Sequence, residues 1–307
     1  GAYIVGFVDD NVAKDTNIFK SLKVLGKTSD LKKLYDKFMF HEIVICIDKI
    51  EYEKLMFLID ECKKLNISVK ITSELFNIIP EKMFSEHYQD IPVMDLSAKV
   101  NVVVYLIIKK IIDYLGAVLG LILLSPFFLI VGIMIKLTSK GPIIYKQIRI
   151  GKNGEPFNFY KFRSMRVISG EDEEREQKML EFMKGNNKNK SAKIINDSRV
   201  TWIGNILRKY SLDELPQLIN VLTGVMSLVG PRPCLPYEFE NYDEWQKRRL
   251  SVTPGCTGIW QVSGRSEVNF NDSVIMDIYY INNVTPLLDL QLIFKTIPVM
   301  VFGKGGK

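Results

Sequence analysis

The chain has 307 residues, 47% of them hydrophobic and 25% charged, which suffices for a full core and predicts two domains. Cys46, Cys62, Cys234 and Cys256 form no C-x-x-C pair, which points to reduced, cytosolic thiols and excludes a disulfide framework or a zinc site. Histidine occurs only at His41 and His87, so carboxylates must carry the chemistry, and the net charge of +6 lacks the interleaved aromatic platform of a nucleic-acid-binding surface.

Residues 1–80 alternate short apolar runs with amphipathic helices: Tyr3–Val8, then Leu31–Phe38, Ile43–Ile47, Tyr52–Leu65 and Val69–Ile71. This βαβα rhythm predicts an α/β fold in which residues 1–95 form a partial Rossmann-like, CoA-binding-like domain on a parallel sheet. Asp9-Asp10 closes the first strand where a dinucleotide fold would hold a ribose, yet the glycine-rich turn G-x-G-x-x-G is absent. Either the domain is regulatory and without a cofactor, or the chain begins inside a longer protein. No signal peptide opens the chain, and residues 81–100 read as a linker.

Residues 96–307 are expected to form a second, mainly α, membrane-associated domain. From Ile111 to Ile135 the chain is apolar apart from Asp113 and small or hydroxyl residues, long enough at 1.5 Å per residue to span a bilayer. Pro126 removes a backbone donor, and Ser125 can satisfy the group that it frees. Lys109 and Lys110 precede the run while Lys136, Lys140, Lys146 and Arg149 follow it. By the positive-inside rule both flanks belong on the cytoplasmic side, so the expectation is a helix over about 104–137, broken at Ser125-Pro126, that enters and leaves by one leaflet. Residues 97–170 carry eleven lysines and arginines against Asp113 and Glu155, a balance of +9 that exceeds the whole chain's +6 and favours anionic headgroups.

Residues 171–196 begin as an acidic helix and end polar, either a mobile insertion near the active site or an inert excursion. Asp213-Glu214 then precedes Leu215, Leu218, Ile219 and Leu222, whose spacing describes one apolar helix face. On spacing alone, Ser211-x-x-Glu214 is a capping box. If Pro216 opens the helix, both carboxylates stand on its entry turn. Gly230-Pro231-Arg232-Pro233 and the Gly255–Arg265 stretch follow. Arginines held by proline and glycine are stiff forks for phosphate oxygens, and Arg208, Arg232 and Arg265 are the candidates, with Lys161 and Arg163 behind them. Near the end, Leu287, Leu288, Leu290, Leu292, Ile293, Ile297, Val299 and Met300 suit an interfacial helix or a buried core helix equally.

From about Lys109 to Ile297 the chain resembles the catalytic domain of the bacterial sugar transferases known as monotopic polyprenyl-phosphate phosphoglycosyl transferases. The resemblance rests, in order, on Lys109-Lys110-Ile111-Ile112-Asp113, Ser125-Pro126, Tyr160–Met165, Ser211–Leu218, Gly230–Pro233, Pro254-Gly255 and Asp277–Tyr280. Val225 departs from it, standing where the family often has an acid. The resemblance implies transfer of a phosphosugar from a UDP-sugar to polyprenyl (undecaprenyl) phosphate with release of UMP, the first membrane step of exopolysaccharide, capsule or O-antigen assembly. It implies Asp213 as nucleophile, Glu214 as a metal or proton ligand, Mg2+ held by Asp213 and Glu214, the same re-entrant helix, and a bacterial inner membrane with the site on its cytoplasmic face. Larger members carry upstream transmembrane helices and then a Rossmann-like domain, which favours a chain that begins inside a longer protein. A homodimer is the default expectation. Two other readings are a short-chain dehydrogenase or epimerase, from Tyr105-x-x-x-Lys109, and a non-catalytic membrane scaffold; the first lacks a nucleotide-binding glycine loop.

Overall fold

The structure, a computed structural model, describes residues 3–46, 51–72, 87–88, 91–95, 102–166, 172–183, 199–263 and 268–301. The chain divides into two compact units, and the main boundary falls between residues 98 and 99.

In the first unit, β1 (Phe7–Val8), β2 (Asn17–Phe19) and β3 (Leu22–Gly26) form one small sheet. The helix α1 (Leu31–Phe38) follows, then β4 (Glu42–Ile45), α2 (Tyr52–Lys64), β5 (Ser68–Thr72), β6 (His87–Tyr88) and β7 (Ile91–Asp95). The predicted helices stand where their apolar periodicity put them: α2 buries Leu55, Met56, Leu58, Ile59 and Cys62, and it joins the parallel strands β4 and β5. The single parallel sheet does not form. A second sheet has the order β4-β5-β7-β6, with β7 antiparallel to both neighbours. The stretch expected as a linker therefore contains sheet edge. A hairpin, β2 against β3, also interrupts the first βα step, turning at Lys20 with φ 53° and no glycine. Asp10 is already engaged, accepting from Thr28 N at 2.8 Å and Lys54 Nζ at 2.6 Å; the Lys54 bond first, then Thr28, lowers its carboxyl to about 2.

The second unit is built on α3 (Val102–Thr138), 37 residues of unbroken helix. Helical structure runs on through Pro126, whose missing donor is replaced: Ser125 Oγ donates to Ile122 O at 2.8 Å, the carbonyl that residue 126 would otherwise have bonded. One face of α3 is buried through Ala117, Val131 and Ile135, while apolar side chains such as Ile111, Leu115, Leu119, Leu123 and Leu137 stay exposed along its length. It is the one described helix long and apolar enough to cross a membrane.

Both halves of α3 pack on the same folded body. After α3 come the hairpin β8 (Ile144–Ile150) and β9 (Pro156–Phe162), the helix α4 (Asp172–Met183), α5 (Trp202–Lys209), a 3₁₀ turn over Leu212–Glu214, and α6 (Gln217–Leu222). Val131 and Ile135 of the second half cluster with Phe162, Ile203, Leu207, Leu212 and Leu215. Ala117 of the first half clusters with Phe159, Val221, Met226, Leu218 and Leu222. The turn over 212–214 therefore lies against the second half of α3, just before the chain passes to the first. Polar clamps hold the two ends. Lys109 Nζ donates to Val229 O at 2.9 Å and to Asp289 Oδ2 at 2.9 Å. At the far end Arg163 is buried and donates to Ser139 O at 2.7 Å and Lys140 O at 3.0 Å, satisfying carbonyls that a helix C-terminus leaves open.

The side chain of Asn220 docks α6 onto the open edge of β9. Its Oδ1 accepts from Tyr160 N at 3.1 Å and its Nδ2 donates to Asn158 O at 2.7 Å, so a carboxamide takes the place of a neighbouring strand. Next come β10 (Ser227–Val229), α7 (Pro236–Glu240), α8 (Glu244–Lys247), β11 (Gly255–Thr257), α9 (Ile259–Ser263), α10 (Phe270–Asn282) and α11 (Pro286–Val301). The strands β10 and β11 pair in parallel, and α4 rests on α7 and α10. The C-terminal helix α11 is two-sided: Asp289 and Leu292 are buried, while Leu287, Leu290, Phe294 and Ile297 form an exposed apolar stripe.

Two substitutions test these contacts. Gly141 has φ +129°, and the Arg163 guanidinium fills the space that a Cβ would need, so Gly141→Ala should lower Tm by several degrees in a thermal-shift measurement. Asn220→Ala removes both partners of the β9 edge and should cost about 2 kcal/mol, read as a fall in Tm; an unchanged Tm would show that the edge is satisfied in another way.

Candidate active site

The carboxylates Asp213 and Glu214 stand on the 3₁₀ turn, with Pro216 at the cap of α6. Proline at a helix start lacks only a donor that would be unbonded there in any case, so the apolar face of α6 begins after the dyad. Ser211 adopts a left-handed conformation with φ 55° and makes no side-chain cap hydrogen bond. The capping reading of Ser211-x-x-Glu214 is therefore replaced, because the Glu214 carboxylate is drawn the other way, accepting from Lys161 Nζ at 2.7 Å. Lys161 comes from β9 and Arg232, from the loop after β10, lies 3.8 Å from the same Glu214 oxygen.

The two neighbours have unlike environments. Asp213 is 8% exposed and takes no side-chain hydrogen bond from the described residues. Burial raises its carboxyl to about 6, with Lys161 and Arg208 pulling down and Glu214 pushing up. Burial would raise Glu214 as well, but Lys161 and Arg232 hold it well below the ordinary carboxylate range. Burial in turn lowers the ammonium of Lys161, against the pull of Glu214 and Asp213. One carboxylate is locked as an anion by its cations, while its neighbour titrates close to neutrality. Environments that push two adjacent acids apart are a mark of functional carboxylates.

Of the residues singled out from sequence, Asp213, Glu214, Lys161, Arg208 and Arg232 come together. Arg163 does not, since its guanidinium is turned onto the end of α3; reading it from its motif missed that its strand ends beneath that helix. Arg265 lies outside the described residues. Ser125 and Pro126 sit within α3, away from the dyad in sequence, and both are exposed. Three residues near the dyad were not among the candidates for the site. Arg149 is buried and donates to Pro233 O at 3.1 Å, tying β8 to the loop that carries Arg232. Asn220 and Gln217 belong to the same stretch as the dyad, where the carboxylates drew attention away from the amides. Tyr105 and Lys109, the pair that suggested a dehydrogenase, are both bonded to Asp289 and have structural work in anchoring α3.

The profile of the family described as bacterial sugar transferase matches residues 104–303. Galactosyl transferase CpsE of Streptococcus agalactiae is 37% identical, over 99% of this chain and 68% of that protein. UDP-glucose:undecaprenyl-phosphate glucose-1-phosphate transferase of Klebsiella pneumoniae is 33% identical, over 89% of this chain and 57% of that protein. Undecaprenyl-phosphate galactose phosphotransferase of Salmonella typhimurium is 40% identical, over 63% of this chain and 40% of that protein. The matched region contains all but the first two residues of α3, the dyad and every cation arranged around it, and the chain belongs to the bacterial sugar transferase family.

Proposed function

We propose that the chain transfers a sugar 1-phosphate from a UDP-sugar to polyprenyl (undecaprenyl) phosphate at the cytoplasmic face of a bacterial inner membrane, with release of UMP, at the start of exopolysaccharide, capsule or O-antigen assembly. The observation that carries this reading is the divided dyad: a buried carboxylate without a side-chain partner among the described residues, beside one locked by Lys161 and Arg232, packed against both halves of an apolar helix. The relatives' names, two of which specify undecaprenyl phosphate and one UDP-glucose, support the same substrate classes.

In this reading an Asp213 oxygen attacks the phosphorus that carries the sugar. The P–O bond to UMP breaks, UMP leaves with the electron pair, and the phosphosugar is held as an acyl phosphate. An oxygen of the lipid phosphate then attacks that phosphorus and returns the carboxylate, so a soluble donor and a lipid acceptor use one site in turn. Arg208, Arg232 and Lys161 provide the positive field for the phosphate oxygens, and Arg265 is proposed alongside them from its motif. Magnesium suits the donor set, since it takes one or two carboxylates together with substrate phosphates; no group of three potential protein ligands occurs among the described residues. Asp213 and Glu214 would hold it, and its charge would offset the repulsion between two anionic substrates.

The re-entrant reading of α3 is supported by the packing of its two halves, and the clamping of its two ends, on one folded body, because a helix that crossed the bilayer would carry one half away from that body. The exposed stripe of α11 suits the headgroup region. The first unit is read as a partial Rossmann-like domain on the strength of its parallel β4-α2-β5 step.

Asp213→Asn should abolish UMP release from a panel of UDP-sugars with undecaprenyl phosphate and magnesium; turnover within tenfold of the parent would end the assignment. The same substitution should raise Tm at pH 7.5. The folded-state pKa of about 6 exceeds the ordinary carboxylate value, so the group stabilises the fold only when protonated, and this contribution is lost as pH rises through about 6. For the same reason kcat/KM should fall below about pH 6, as the nucleophile takes up its proton. For topology, single cysteines placed on either side of α3 should both be labelled from the cytoplasmic side, and labelling of one flank only from outside would sink the re-entrant reading.

A further inference from the structure

Gln217 opens α6 three residues after Glu214 and is 2% exposed. Its Nε2 atom is buried and has no hydrogen-bond partner among the described residues. A carboxamide nitrogen carries two donor hydrogens, and leaving it unpaired in the interior is destabilising, so native proteins seldom keep such an atom without a use for it. Two of the other such atoms have local explanations: the bare Nε atoms of Arg163 and Arg249 belong to guanidinium groups that are bonded through other nitrogens. The Gln217 side chain faces Glu214 and contributes to holding that carboxylate ionised, yet it stops short of hydrogen-bond geometry. It is thus a neutral donor beside the dyad, in the company of Lys161, Arg208 and Arg232.

We propose that the Gln217 carboxamide is a substrate contact, donating an N–H to a non-bridging phosphate oxygen of the nucleotide-linked diphosphate as it docks beside Asp213. This rests on the UDP-sugar reading above and assigns one of its contacts. A neutral donor has a distinct advantage at this position. A fourth cation next to Lys161 would repel it and draw Glu214 away, whereas an amide binds an anionic oxygen and leaves the ion pair intact. The arrangement also predicts an inverse relation between stability and binding, since an unpaired buried donor destabilises the empty protein and is satisfied only by ligand.

The test uses the full chain in lipid nanodiscs, with UDP and magnesium as the probe, by calorimetric titration and thermal unfolding. Gln217→Met keeps the length and volume of the side chain and removes the donor. It should weaken UDP binding by about tenfold or more, while Tm without UDP stays the same or rises. Binding within twofold of the parent would overturn the contact and leave the UDP-sugar reading standing. A clear drop in Tm, or failure of Gln217→Met to fold, would also overturn it, because it would show that the amide serves the fold through Glu214 and not a ligand. If the unsubstituted chain binds neither UDP, UDP-glucose nor UDP-galactose, the nucleotide reading itself falls and this contact with it.

Discussion

The second unit depends on one constraint: α3 is apolar on every side, yet only one side of it is covered by protein. Burial of Ala117, Val131 and Ile135 fastens the helix to the folded body, and the exposed remainder demands an apolar solvent. A helix hydrophobic all round belongs in a membrane or in a large core, and this one has the surface of the first and the packing of the second along a single stripe. The polar interactions that accompany it are placed where an apolar helix needs them, at its ends and at its proline. Lys109 and Arg163 hold the ends, and Ser125 repairs the bond that Pro126 cannot make.

The same helix positions the chemistry. Leu212 and Leu215 enter the cluster of its second half, and Leu218 and Leu222 that of its first, so the dyad is pinned between two anchors on the second half, just before the chain crosses to the first. From the other side β9 delivers Lys161, with α6 locked to its edge by Asn220. The ion pair of Lys161 and Glu214 is half-buried, where charge is costly unless matched, and the field that it sets up separates Glu214 from Asp213. Adjacent acids on one turn would otherwise titrate together. Their division follows from which of them the strand reaches, and it leaves Asp213 as the group able to change its state.

Much of this was legible beforehand, though unevenly. The apolar run, its flanking lysines and the Ser-Pro pair were plain from composition, and Ser125 does satisfy a freed carbonyl; that the helix would continue unbroken through Pro126 was not plain, because one hydroxyl decides it. The helices α1 and α2 were readable from strong apolar periodicity. The β2–β3 hairpin was hidden because Lys20 adopts a left-handed conformation without glycine or asparagine to announce it. The strand β7 was hidden by Pro92, which marks sequence as irregular but here lies beyond the ladder that β7 makes with β5. Arg163 was misread because a motif records which residues recur together and not where each one points: Lys161 reaches the dyad, and two residues later the chain has arrived under the end of α3.

By itself the sequence determined the kinds of chemistry available: carboxylates in place of histidines, cations in stiff loops, one membrane-seeking helix, and a motif order specific enough to place the chain in its family. These are properties of residue type and spacing, which survive without coordinates. Only the tertiary structure decided which cation meets which acid, that Glu214 and not Asp213 is locked, that Arg163 serves the helix and not the site, and that the Asn220 amide ties α6 to β9. Those outcomes depend on contacts between segments tens of residues apart, such as Lys161 with Glu214 and Arg163 with Ser139, and no local pattern encodes the distance at which two such side chains meet.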